Sequence, residues 1–164
     1  MHSRHDRSNT SNRQLLSVQS PLSGRSLPLE EVPDKAFARK HMGEGMAIEP
    51  SEGKLVAPFD GVVVYLIGSK HALIIQHETG LQLLIHVGIN TVALKGEGFA
   101  AHIGAGDKVR LGQTLITFDI AHIRDSGYSA VTPVVVVNDD FGGRVDGSYR
   151  EVKAGESQLM TIAL

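Results

Sequence analysis

The chain has 164 residues, with 16 Lys and Arg against 18 Asp and Glu, 8 His, and neither Cys nor Trp. The length suits one domain with a substantial core, and 41% hydrophobic residues is ordinary for a globular protein. The missing cysteine excludes a disulfide framework, a thiol nucleophile and thiolate metal sites, and the near-balance of charge removes any broad electrostatic case for nucleic acid.

Residues 1–17 are predicted to be a disordered, polar and basic arm, in which Arg4, Arg7 and Arg13 face Asp6 alone. The arm has no apolar run, so it is not a secretory signal. It also lacks the long apolar face that would seat it on a membrane. No segment reaches the roughly 18 apolar residues of a membrane span, and the expected compartment is the cytoplasm. A single domain is expected over residues 18–164. Asp34 follows Pro33 and is placed to cap a short helix over Asp34–His41. Phe37, Met42 and Met46 cluster around a Gly43-Glu44-Gly45 loop. They either pack into the core or form an apolar rim for docking a partner.

Beyond this point short apolar runs alternate with glycine-rich turns. The runs are Val62–Ile67, Leu73–Ile75, Leu81–Val87, Leu115–Phe118 and Val134–Val137. Turns are predicted at Asp60-Gly61, Thr79-Gly80, Gly104–Asp107, Gly142-Gly143 and Asp146-Gly147. A second helical turn is expected near Ala121–Asp125. Many short strands with little helix predict an all-β fold, an antiparallel barrel or sandwich.

One hairpin carries a chemical suggestion. Leu73–His77 and Leu81–His86 flank Glu78-Thr79-Gly80. A two-residue Glu78-Thr79 loop sets His71 directly opposite His86. A Thr79-Gly80 loop leaves them on one face, a diagonal apart. A three-residue loop would put them on opposite faces. His86 also interrupts an apolar run, where a polar side chain needs a partner or a task. Neutral imidazole is a nucleophile or a metal ligand. Ser69, two residues before His71, is placed to hydrogen-bond a ring nitrogen and select its tautomer.

Other chemistries have weaker support. Two histidines make an incomplete zinc site, and no His-Glu-x-x-His run exists. No serine sits in Gly-x-Ser-x-Gly. Gly96-Glu97-Gly98-Phe99-Ala100-Ala101 matches a dinucleotide fingerprint in letters only, because the next turn arrives at Gly104 before a helix can form.

The stretch Ser69-Lys70-His71-Ala72-Leu73, with Leu84-Ile85-His86-Val87-Gly88-Ile89-Asn90-Thr91-Val92-Ala93-Leu94-Lys95-Gly96-Glu97-Gly98-Phe99, closely resembles the glucose-type enzyme IIA of the bacterial phosphoenolpyruvate-dependent sugar phosphotransferase system. Glu31-Val32-Pro33-Asp34, Val56–Gly61, Gly106–Val109 and Thr132–Val135 agree with the same family, so the resemblance covers roughly residues 18–164. It implies an antiparallel β-sandwich, a barrel-sandwich hybrid with a duplicated hybrid motif, and two histidines facing each other in a shallow apolar depression. By the same resemblance His86 accepts a phosphoryl group at Nε2 from the carrier protein HPr and passes it to a cysteine of enzyme IIB. His71 stabilises the phosphoryl group and supports its transfer, Ser69 bonds the His71 ring, and the Gly88 carbonyl orients His86. Asp34, Phe37, Met42, Met46 and Asn90 fall in the partner-binding region.

Asn90 stands where better-known relatives have Asp, which removes one negative charge beside the site and bears on partner choice. No cofactor is implied. Zinc on His71 and His86 would need a partner to supply a further ligand. The resemblance also implies a monomer that visits the inner membrane face through its IIB partner, with regulated transporters or kinases as further partners. Having no cysteine, the chain cannot hold the next relay station and is expected to be a free-standing A component. A regulatory binding protein switched by phosphorylation is the alternative function. A lipoyl- or biotin-carrier domain shares turn chemistry at Val56–Val62 and Gly106–Leu115 but lacks the lysine hairpin.

Overall fold

A computed structural model of the protein describes residues 15–138 and 144–164. The Gly142-Gly143 turn and the first fourteen residues of the predicted arm lie outside them. The strands, in chain order, are β1 (Leu15–Gln19), β2 (Gly24–Pro28), β3 (Gly45–Pro50), β4 (Lys54–Val56), β5 (Gly61–Leu66), β6 (Ala72–His77), β7 (Gln82–His86), β8 (Phe99–Ala101), β9 (Lys108–Val109), β10 (Thr114–Phe118), β11 (Thr132–Val136), β12 (Arg144–Asp146), β13 (Glu151–Val152) and β14 (Gln158–Ala163). Two short helices, α1 (Lys35–Ala38) and α2 (Ile120–Asp125), punctuate them. Each is capped by an aspartate: Asp34 accepts from the Ala36 amide, and Asp119 from that of His122.

An eight-stranded antiparallel sheet, ordered β13-β2-β3-β11-β7-β6-β5-β9, forms the main wall. Two three-stranded sheets, β1-β14-β12 and β4-β10-β8, complete the described fold. Both edges of the large sheet are two-residue strands, a length that gives a foreign chain little to pair with.

The centre of the large sheet, at β3, β11, β7 and β6, buries both faces. On one, Met46, Ile48, Leu73, Ile75, Leu83, Ile85 and Val134 join the main core, with Leu22, Leu55, Leu115 and Ile162. On the other, Ala47, Ala72, Leu84 and Val135 form a second cluster beneath Leu29, Val32 and Phe37. Burial on two sides explains why β11 reads as an unbroken valine run rather than an alternating one. The segment that covers the second face also delivers α1 to the site.

Two expectations are corrected. Leu15, Leu16 and Ser17 are not part of a disordered arm: they pair with Ala163, Ile162 and Thr161 of β14, and Leu16 is buried. The domain therefore begins at least three residues before 18. Met46 is not part of an exposed rim. Strand alternation in β3 turns it with Ile48 into the main core, where it is 2% exposed. Phe37 is likewise mostly buried, in the second cluster, whereas Met42 is 42% exposed.

The corrected boundary predicts a stability difference. A chain starting at Val18 loses the Leu15–Ser17 ladder and the burial of Leu16, on the order of 2 kcal/mol. It should melt several degrees below a chain starting at Leu15. Equal melting temperatures would return the boundary to 18.

Candidate active site

The hairpin that carries the histidines does not have a two-residue loop. Ala72 pairs with His86, Leu73 with Ile85 and Gln76 with Gln82, which leaves Glu78-Thr79-Gly80 as a three-residue loop. Strand alternation alone would then separate the two histidines. They nevertheless meet, with ring centroids 4.8 Å apart and planes at 80°. The reason is local. β6 begins at Ala72, and His71 sits before it in the turn from β5, directly after Lys70 in the left-handed region (φ 65°). The alternation of the strand does not extend to His71.

His86, at the end of β7, is half-buried. Its Nδ1 lies 2.8 Å from the Gly88 carbonyl oxygen. A carbonyl only accepts, so Nδ1 carries the proton and donates it. In the neutral ring the lone pair is then on Nε2. Gly88 has φ 76°, and a Cβ there would lie 2.5 Å from Thr91 Cγ2 and 2.9 Å from the Ser129 carbonyl. Only glycine fits that turn. Thr91, fully buried, donates its hydroxyl to the Val87 carbonyl at 2.6 Å, and the Ile89 amide donates to that of Ser129. These bonds hold the loop that aims the Gly88 carbonyl. Thr91 and Ser129 received no role from the sequence. Their only signal was a polar residue inside or beside an apolar stretch.

His71 is 2% exposed and packs edge-on against Phe99, centroids 6.4 Å apart. Ser69 Oγ lies 2.7 Å from its Nδ1. When the hydroxyl donates, the His71 proton is on Nε2, and the ring becomes a hydrogen-bond donor. Phe37 tilts against His86 at 5.4 Å, so one wall of the depression is aromatic. Asp34 caps α1 and is close enough for its charge to act on His86. Asn90 is exposed, in the left-handed conformation (φ 63°) that asparagine tolerates, and starts the 3-10 turn Thr91–Leu94. Met46 does not join the site. Among the described residues no three His, Asp or Glu side chains cluster as metal ligands, so His71 and His86 would bind zinc only with further ligands from elsewhere.

Burial, helped by the neighbouring His86, pushes His71 from 6.5 down to about 4. Burial also pushes His86 below 6.5, against the opposing pull of the Gly88 carbonyl, its own backbone and the Asp34 carboxylate. Both rings are therefore neutral at pH 7. The arrangement pairs a nucleophilic nitrogen with a neutral donor in a partly apolar depression.

Two neutral imidazoles facing each other, one at the end of β7 and one in the turn before β6 of an all-β antiparallel fold, define the class of protein. The chain belongs to the EIIA type 1 family of the phosphoenolpyruvate-dependent sugar phosphotransferase system, whose family model matches residues 16–141. It is 43% identical over 148 residues to the PTS system glucose-specific EIIA component of Oceanobacillus iheyensis, covering 90% of each chain. It is 45% identical over 146 residues to the protein of that name from Halalkalibacterium halodurans, covering 88% of this chain and 84% of that one. Among solved structures it resembles glucose permease IIA from Mycoplasma capricolum, with TM-score 0.85 and 30% identity over 90% of this chain and 96% of that chain.

Two measurements check the electrostatics. By NMR titration His71 should protonate near pH 4 and His86 below 6.5, and Asp34→Asn should lower the His86 value further. A His71 value near 6.5 would contradict its burial. Stability follows with a definite sign. Above pH 6.5 folded and unfolded His71 are both neutral; between 6.5 and about 4 only the unfolded chain takes up the proton, so stability falls with pH. The loss reaches roughly 3 kcal/mol near pH 4. His71→Gln should lack that component, seen as a shallower acid dependence of the urea midpoint.

Proposed function

We propose that the chain is a phosphocarrier that accepts a phosphoryl group from phospho-HPr on His86 Nε2 and passes it to a cysteine of an enzyme IIB domain. The observation that carries this reading is the Nδ1–H to Gly88 carbonyl bond, which leaves the lone pair on Nε2. A protein that merely binds partners has no need of a defined tautomer at a half-buried histidine. Membership of the family supports the same reading. The relatives' names support glucose as the sugar system served.

In the first step Nε2 attacks phosphorus in line as the bond to the donor imidazole breaks. The proton stays on Nδ1, donated to the Gly88 carbonyl, so the phosphorylated ring carries a positive charge that Asp34 and the carbonyl offset. In the second step a cysteine thiolate attacks phosphorus, and His86 departs as a neutral imidazole. Retention of the Nδ1 proton is what makes that leaving group neutral. His71 donates Nε2–H to a phosphoryl oxygen, and its neutral state avoids a competing cation in the apolar depression. Phe37 and the second apolar cluster limit access of water, which would hydrolyse the phosphohistidine. The transfer as written calls on no cofactor. The exposed Met42 and Asn90 extend the docking face for HPr and IIB, and the relay places the monomer in the cytoplasm, at the inner membrane face while bound to IIB.

The test is a reconstituted relay of phosphoenolpyruvate, enzyme I, HPr and this chain, read by intact mass and acid lability. The wild type should gain one phosphoryl group and His86→Ala none; label that persists in His86→Ala overturns the assignment. His71→Ala should still accept phosphate but transfer it to IIB about a hundredfold more slowly, the scale of losing one oriented donor. Normal transfer would remove His71 from the mechanism. Gly88→Ala should cost roughly 1–2 kcal/mol of stability through its left-handed backbone and slow phosphate acceptance, because the Cβ displaces the carbonyl that holds Nδ1.

A further inference from the structure

The loop between the 3-10 turn and β8 combines unusual backbone with direct contact to the site. Lys95 (φ 55°), Gly96 (φ 87°) and Gly98 (φ 85°) are all left-handed. A Cβ on Gly96 would lie 3.5 Å from the Ser69 carbonyl, so this loop abuts the turn that carries Ser69 and His71. The next residue after the loop, Phe99, packs against His71. The loop thus supports both groups that position His71.

Its other side is open. Phe99 stacks on Phe118 at 6.1 Å, but both border a cleft of about 600 Å³ lined also by Gly98, Ala100, Asp119 and Ile120. Two contacts fasten the loop to the start of α2. The Asp119 amide donates to the Gly98 carbonyl at 2.9 Å. His122 lays its ring against Gly98, where a Cβ would come within 2.9 Å of Cδ2, and its Nε2 lies 2.9 Å from Glu97 Oε1. That Nε2 is itself shielded from solvent and makes no hydrogen bond, so the contact is a close approach of ring and carboxylate.

We infer that Glu97 and His122 are a positioning pair, which clamps the Lys95–Gly98 loop to α2 and thereby holds Ser69 and Phe99 against His71 for phosphoryl transfer. The inference rests on the phosphocarrier reading for its kinetic consequence, but not for its structural one. Neither residue touches His71 or His86. Glu97 is largely exposed, and the contact of an exposed pair is worth a small factor rather than orders of magnitude.

The experiment is a double-mutant cycle of Glu97→Gln, His122→Ala and the two together, with two readouts. The first is the ¹⁵N and ¹H spectrum of the His71 ring, which reports tautomer and pKa. Each single variant should move the His71 resonances, and the double variant should move them no further than the larger single effect. The second is transfer from phospho-His86 to IIB, which should slow two- to fivefold in each single variant, without a multiplied loss in the double, while acceptance from HPr stays unchanged. His71 resonances that stay in place, or single effects that multiply in the double variant, overturn the clamp. A loss of melting temperature with an unmoved His71 spectrum also overturns it, since that is what a merely structural contact would give. If the wild type takes no phosphate, the phosphocarrier reading fails, and the His71 spectra still decide the clamp.

Discussion

The bond from His86 Nδ1 to the Gly88 carbonyl is the constraint on which the site depends. An imidazole has two nitrogens of similar basicity, and an unconstrained ring offers either one. A carbonyl partner admits only one arrangement, because it has no proton to give. That requirement reaches into the backbone. The carbonyl faces back toward His86 only if Gly88 turns left-handed, and that turn is packed by Thr91 and Ser129 too tightly for any side chain. The chemistry of one nitrogen thus dictates a glycine, a buried threonine hydroxyl and the loop that joins them.

The double burial of the large sheet supplies the rest. A sheet with one wet face would leave His86 in water. Here the segment from Leu29 to Phe37 lies over the second apolar cluster, and it brings an aromatic wall and a carboxylate to the same ring. Burial lowers the proton affinity of both histidines, whereas Asp34 and the Gly88 carbonyl restrain the effect at His86. The two rings therefore differ in proton affinity and in hydrogen-bond partner by environment, although they are chemically alike.

Much of the fold was legible as pattern. The apolar runs at Val62–Ile67, Leu73–Ile75, Leu115–Phe118 and Val134–Val137 mark β5, β6, β10 and β11 to within a few residues, because turn residues bound each one. Asp34 caps its helix by short-range chemistry that sequence exposes directly; the matching cap by Asp119 was not read from the second helical turn. The histidine pair was legible for a partly mistaken reason. By alternation the histidines share a face only across a two-residue loop, whereas the hairpin has three residues there, and a left-handed Lys70 brings His71 back to His86. A lysine in that conformation leaves no mark in the sequence. Met46 and the first residues of β1 were misplaced for a related reason. Which face of β3 meets the core, and whether Leu15–Ser17 finds a partner, depend on β11 and on β14, far away along the chain.

By itself, the sequence determined the all-β class, the positions of most strands and turns, the absence of any thiol chemistry, and the two histidines with their serine. These rest on local periodicity, composition and motif spacing, which need no partner to be read. Only the tertiary structure decided the hairpin register, the depth at which each histidine is buried, the tautomer of His86, and the contact of Glu97 with His122. Each of those depends on groups brought together from separate elements, and a hydrogen bond or a desolvation does not exist until both sides are in place.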